Sequence, residues 1–443
     1  MKIPQIPALP FIGNAPEISK DILGFFGKNL KKHPDSFMLS LPGRKVIVTC
    51  DAAIVKNILV SNQKNYRKDY GANKLRLALG NGLLTNEGES WFKQRRLAQP
   101  AFYKNRLEGF FETMNRIAVE HLQQWKTNNA KNVMIDAEMM QLTSKIVVET
   151  LLGSDVAYKL NEIQRYIYTI QDYLVKCIRN PIYEFFAKYN GNKEKFDKAI
   201  NEFDTVLYQI INDKKKKELG NDLLSMLMEA RDADTNEGMN DKQLRDELLT
   251  IYVAGHETSG YALAWSMYNL CKHKGVYQKA KREVQEVMKD GILTIDSYKH
   301  LTYIKAVIDE TLRLYPTAYI IGRESKDNDE VNGIEIPKDT VTMISVYHLH
   351  RNPKYWQHPD AFLPERFEGK NNTLFNSEAY YPFGGGPRMC IGFYFATMEI
   401  TIVLAQLLYH FDFQLDETHK VEFEPLVTLK PKYGIKLQLK QNN

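Results

Sequence analysis

One cysteine in this 443-residue chain sits in surroundings suited to iron chemistry: Cys390, in FGGGPRMCIG at residues 383–392. Four cysteines are too few for a disulfide framework in a chain of this size, and none forms a CxxC pair suited to zinc or thiol exchange. A thiolate binds iron strongly when its sulfur accepts backbone N–H bonds and water is kept out. Glycines at 384, 385 and 386 let the backbone turn tightly and approach a flat ligand. Arg388 can reach an anionic group on that ligand, and Phe383 can pack near the sulfur. The helical period of FYFATMEITIVLAQLLYHF, just after the loop, puts Cys390 ahead of a helix N-terminus, whose dipole favours a thiolate. Two other readings compete. One is an inert buried thiol beside a glycine turn. The other is a phosphate cradle, which lacks the framing strand and lysine.

The spacing Phe-x-x-Gly-x-Arg-x-Cys-x-Gly, met by Phe383, Gly386, Arg388, Cys390 and Gly392, resembles the haem-binding loop of the cytochrome P450 superfamily. Other segments follow that family's order. AGHETS, residues 254–259, is similar to its oxygen-activation motif, and Thr258 can hydrogen-bond the carbonyl of Ala254 four residues back, opening a small polar groove in a helix. The resemblance makes Glu257 and Thr258 the catalytic pair that organises water and delivers protons for O–O cleavage. His256, at a variable position, reads as an ordinary polar residue. Glu310 and Arg313 in ETLR lie at i and i+3, and Arg366 in PERF resembles the third member of a buried Glu-Arg-Arg cluster that holds the fold around the thiolate loop. WFKQRR places Trp91 and Arg95 one turn apart and looks like a segment contacting a haem propionate. Arg323 in YIIGRES stands where the family supplies another propionate partner. The implied cofactor is haem b, iron protoporphyrin IX, bound by Trp91, Arg95, Ala254, Arg323, Phe383, Arg388 and Cys390, with Cys390 the iron ligand.

These residues need elements to hold them. The apolar pattern from about Asp241 runs for about nine turns in DKQLRDELLTIYVAGHETSGYALAWSMYNLCKH and predicts a helix through the protein's centre. A second helix spans roughly Tyr303 to Leu314 and stops before Pro316. SFMLSLPGRKVIVTC reads as two strands around Pro42 and Gly43, and VNGIEIPKDTVTMISVY as a second strand pair around Pro337 to Thr340. The resemblance, covering essentially the whole chain, implies a mainly α fold with small β-sheets (α+β). It also implies a single P450 domain over residues 1–443 without a fused reductase, its long central helix lying over the haem. Asp339 departs from the pattern, standing where glycine is common. Lys and Arg number 59 against 54 Asp and Glu, and a net charge of +5 is too weak to argue nucleic-acid binding. The run Lys214 to Lys217 reads as a solvated loop or helix end. No run reaches the ~20 apolar residues of a membrane span, and the proline-interrupted N-terminus does not read as a signal peptide. A cytoplasmic location is expected.

As no flavin or nicotinamide motif is present, electrons are expected from a separate ferredoxin or flavodoxin and its reductase. Lys93, Arg95 and Arg96 form a basic cluster for docking an acidic carrier. By family analogy the substrate pocket draws on residues 70–84, the helices around YIYTIQDYLVKCIRNPIYEFF, PTAYII, and the turn near Leu426 and Val427. Leucines, isoleucines, Phe185 and Phe186 suit an apolar acyl chain or isoprenoid. Tyr166, Tyr168, Tyr173, Tyr319, Lys74 and Arg76 suit a methoxylated or sugar-like molecule undergoing oxidative O-demethylation. The expected activity is a haem-thiolate monooxygenase inserting one atom of O2 into a C–H bond of a small molecule. A peroxide-driven or non-oxygenating haem-thiolate enzyme would lack the acid-alcohol pair, and a non-enzymatic haem sensor would not need it.

Overall fold

In the computed structural model, which describes residues 2–179, 183–369 and 378–442, helices form the bulk and four small sheets flank them. The central helix, Asp241–Lys272, has 32 residues, about 48 Å at 1.5 Å per residue. Asn240 caps it and Gln243 returns the bond to the Asn240 backbone, so the expected start is met by a capping box. The helix is buried along most of its length and packs on Ile135–Leu152, on Thr302–Leu314 and on Phe393–His410, the helix that follows the cysteine loop. Ala254 is an exception, exposed in the middle of this buried helix.

A five-stranded sheet lies to one side, in the order Ser36–Leu41, Arg44–Thr49, Val341–Ser345, Ile320–Ser325, Tyr66–Arg67. Its first two strands form the expected antiparallel pair, while Arg44–Thr49 runs parallel to Val341–Ser345. This sheet carries Arg323 on its fourth strand, and Lys68 follows directly on its fifth. The second expected strand pair is corrected. Ile334–Ile336 turns back on Asp329–Val331, and Val341–Ser345 joins the large sheet instead. Asn332 and Gly333 both have positive φ, 51° and 78°, the conformation a two-residue hairpin needs and that an Asn-Gly pair adopts readily. Asp339 takes φ 56°, tolerable for Asp in a turn where glycine would be unstrained.

The Lys214 to Lys217 reading holds for Lys215, Lys216 and Lys217, which are exposed, and changes at Lys214. The helix Asn192–Lys215 ends there, but Lys214 is buried against Asp222 at 2.5 Å and Lys215 pairs with Asp241. Among the described residues, no helix is long and apolar enough to cross a membrane.

Candidate active site

The cysteine loop is built by short hydrogen bonds. Cys390 N–H donates to Phe383 O at 2.9 Å, Met389 N–H to Gly386 O at 3.0 Å and Gly384 N–H to Tyr381 O at 3.1 Å. Gly384 and Gly386 have φ of 71° and 64°, and a Cβ on Gly386 would lie 2.0 Å from Leu59 O. Only glycine satisfies both the conformation and the close approach there. Of the four cysteines, Cys390 alone is exposed, yet protein encloses it, so its open side faces an internal space. Burial pushes its thiol up, with the Gly392 N–H and Arg95 pulling the other way. The helix end alone therefore does not produce a thiolate. A bound iron would, since a coordinating thiol loses its proton.

On the central helix, Thr258 Oγ donates to Ala254 O at 2.7 Å, the back-bond expected from the sequence. Glu257 accepts from Gln171 Nε2 at 3.1 Å and from Thr428 Oγ at 2.9 Å. Burial raises its carboxyl above the ordinary value, opposed by Thr428 and Lys430. His256 is buried, bonded through Nδ1 to Tyr252 O at 2.8 Å and pushed down to about 4 by burial, so it is a neutral packing residue.

Several of the remaining site residues are cations. Arg388 reaches Asn86 O and Glu87, both at 3.1 Å, and lies 4.1 Å over the Trp91 ring. Arg95 donates to Met389 O at 3.0 Å and to Gln99 at 2.8 Å, bracing the residue before the cysteine. Among the described residues the Arg323 guanidinium bonds only the Gly322 carbonyl, at 2.8 Å, and burial with the nearby Arg388 pushes it down to about 10. Lys68, which sequence reasoning missed, joins them and is pushed down to about 7 by burial, Arg323 and Arg388. Such a cluster of enclosed, mutually repelling cations calls for an anionic ligand. With a single soft sulfur donor facing the same interior, the residues fit haem b and its two carboxylates. Trp91, expected in this site, donates its indole N–H to Leu83 O at 3.1 Å, and its ring lies under the Arg388 guanidinium.

A model of the family described as Cytochrome P450 matches residues 4–439. The chain belongs to the cytochrome P450 family. It is 30% identical over 405 residues to cyclooctatin synthase of Streptomyces melanosporofaciens, spanning 90% of this chain and 87% of that one. It is 31% identical to a cytokinin hydroxylase of Arabidopsis thaliana over 82% of this chain and 72% of that one. A crystal structure of the cytochrome P450DA heme domain superposes with a TM-score of 0.91 at 24% identity, covering 100% of this chain and 98% of the other, a likeness of fold. This P450 is a haem-thiolate monooxygenase with haem b as cofactor.

The Glu-Arg-Arg cluster of this P450 is connected to its cysteine loop. Glu310 takes Arg313 Nε at 2.7 Å and Nη2 at 2.8 Å, with both side chains 0% exposed, and Arg366 Nε at 3.4 Å. Arg313 in turn bonds His350 O at 2.7 Å, and His350 Nε2 accepts the Tyr381 N–H at 2.9 Å, at the start of the loop. That acceptor role requires a neutral ring, and burial beside Arg313 pushes His350 down to about 3. His350, Gln171 and Thr428 carry no spacing signal, because their partners are distant in sequence.

Two expectations from isolated charges fail. Lys93 pairs with Glu237, and Arg96 with Asp232 at 3.0 Å and Asp234 at 2.9 Å, so the proposed basic docking cluster is largely neutralised by residues 232–237 and Arg95 turns inward. Lys74 pairs with Glu184, and Arg76 donates to Thr85 O. The Lys74 charge is thus paired within the protein, whereas Arg76 meets a neutral carbonyl and keeps a buried Nε with no partner among the described residues. Tyr166 donates to Glu162, Tyr173 stacks on Phe196 at 4.2 Å, and Tyr319 donates to Leu426 O. Tyr168, Phe185 and Phe186 are exposed at 53%, 58% and 58%. Residues 180–182 of the expected pocket lie outside the described residues.

Proposed function

We propose that this P450 hydroxylates an apolar small molecule, with Glu257 and Thr258 handling the proton and a separate ferredoxin or flavodoxin, with its reductase, supplying electrons. The observation that carries the proton role is the Thr258–Ala254 back-bond beside a buried Glu257 on an otherwise packed helix. Bound through Cys390, the haem supplies activation of O2 at iron, with one oxygen atom entering a substrate C–H bond and the other leaving as water.

The chain's residues do the rest. Thr258 occupies the Ala254 carbonyl, which leaves that turn with a polar notch in an apolar wall. Glu257, raised by burial, is a better proton carrier near neutral pH than an exposed carboxylate. Gln171 and Thr428 hold both of its oxygens, so it must exchange one of these bonds to pass a proton inward. Cytokinin hydroxylase bears a name that states oxygenation, and a self-sufficient monooxygenase from Phanerodontia chrysosporium, of whose length this chain spans 42%, shows that other electron-supply arrangements exist among its relatives. An apolar substrate is supported by the internal partners of Lys74, Tyr166 and Tyr319. Oxidative O-demethylation of a methyl ether is the second reading, with Tyr168, the Tyr173 hydroxyl and Arg76 as polar groups for it.

Thr258→Ala is expected to keep its haem while product per electron pair falls about tenfold or more and peroxide accumulates. Unchanged coupling would move proton delivery elsewhere. Spectral-shift titration with fatty acids, terpenoids, aromatic ethers and O-methyl sugars, followed by formaldehyde assay, separates the substrate readings. Response to methyl sugars alone, with formaldehyde release, would overturn the apolar choice.

A further inference from the structure

A hairpin near the chain's end meets the central helix at Glu257. Its strands, Phe423–Pro425 and Leu429–Pro431, pair antiparallel, and Thr428, just before the second strand, donates its hydroxyl to Glu257 Oε1 at 2.9 Å. Side chains two apart along an extended chain leave on the same side, so Lys430 is presented on the side of Thr428, and its ammonium acts on the Glu257 carboxyl. Lys430 also stands directly opposite Glu424 in the register and pairs with it at 3.4 Å. One cation is thus shared between a carboxylate at the surface and a carboxyl inside. The hairpin is firmly seated: Leu429 N–H donates to Thr317 O at 3.1 Å, and the Leu429 carbonyl accepts the Trp265 indole N–H at 2.9 Å.

We infer that Lys430 is a positioning residue for proton delivery, holding a positive charge beside Glu257 that favours release of the Glu257 proton, with Glu424 tempering that charge. The inference rests on the proton role proposed for Glu257. Burial raises the Glu257 carboxyl, and the Thr428 hydroxyl and then Lys430 pull it back. The other groups facing it are Gln171 and Tyr168 from the helix Leu160–Arg179, and Tyr261 one turn further along the central helix, which Asp136 and Glu424 also face. Lys430 is therefore the one cation acting on Glu257 among the described residues. When Glu257 gives up its proton it becomes a carboxylate, which the Lys430 ammonium and the Thr428 hydroxyl stabilise, and one proton from solvent restores the carboxyl. Removing the Lys430 charge disfavours that carboxylate and moves its titration to higher pH. Removing the Glu424 charge leaves Lys430 unopposed and moves it to lower pH.

The test follows the protonated carboxyl band of Glu257 by infrared difference spectroscopy of the ferric, haem-loaded enzyme across pH, with the band assigned by its loss in Glu257→Gln. At the pH where wild-type Glu257 is half ionised, Lys430→Met should cut the ionised fraction to about a quarter or less, and Glu424→Gln should raise it to about two thirds or more. Lys430→Arg, which keeps the charge, should titrate as wild type does. A hairpin that was merely loosened would move both variants the same way. Product formed per electron pair should fall about twofold or more in Lys430→Met and be kept in Lys430→Arg. Titrations of Lys430→Met and Glu424→Gln that match wild type or shift in the same direction would overturn the inference, and uncoupling in Glu257→Gln would then show that the proton role of Glu257 stands without it. Full coupling in Glu257→Gln would overturn that role and this inference together.

Discussion

Glu310→Ala is expected to lose about 3–5 kcal/mol of stability, the usual effect of removing one partner of a fully buried ion pair. Against a total of about 5–15 kcal/mol for a native protein, that is enough to deplete the folded population. The size follows from what is left behind. Arg313 has no water to replace the bidentate carboxylate, the Leu363 N–H at 2.8 Å loses its acceptor, and Arg366 loses the same oxygen. Because Arg313 supports His350, and His350 accepts from Tyr381, the damage should reach the cysteine loop. Soluble yield, urea midpoint and haem content measured together should all fall. Glu310→Gln, which keeps the shape but loses the charge, should lie between wild type and Glu310→Ala. A Glu310→Ala protein with wild-type midpoint and full haem content would contradict this account of the cluster.

The features legible in the sequence were local ones. The Thr258 bond to Ala254 spans four residues, the Glu310–Arg313 fork spans three, and the glycines of the cysteine loop act on their own backbone, so spacing alone implies the contact. The central helix was legible because its apolar pattern is long and Asn240 caps it. The hairpin at Asn332 and Gly333 is also local, but Pro337 gives the stronger turn signal, and the strand after it finds its partner across the sheet. Charges were the least legible. Lys93 and Arg96 read as a bare cluster because residues 232–237, which neutralise them, lie more than a hundred positions away. Lys68 gave no signal for the complementary reason: its importance comes from two arginines, one more than two hundred and fifty residues on and the other more than three hundred, and a lysine in Tyr-Arg-Lys-Asp carries no motif.

The central claim is that Cys390 supplies the iron ligand of this P450. In the fold it is the one exposed cysteine of the four, it lies inside a loop where no other residue can replace Gly386, and it is flanked by the cations that suit the haem carboxylates. Cys50 and Cys271 are packed away, their thiols pushed up to about 12 by burial, and Cys177 is buried as well. None of the three can take over. The deciding measurement is the spectrum of the reduced protein under carbon monoxide, wild type against Cys390→Ala, at matched haem content. Wild type should show the strongly red-shifted Soret band of thiolate-ligated haem, and Cys390→Ala should lack it even when haem is bound. A red-shifted band of wild-type intensity in Cys390→Ala would contradict the account.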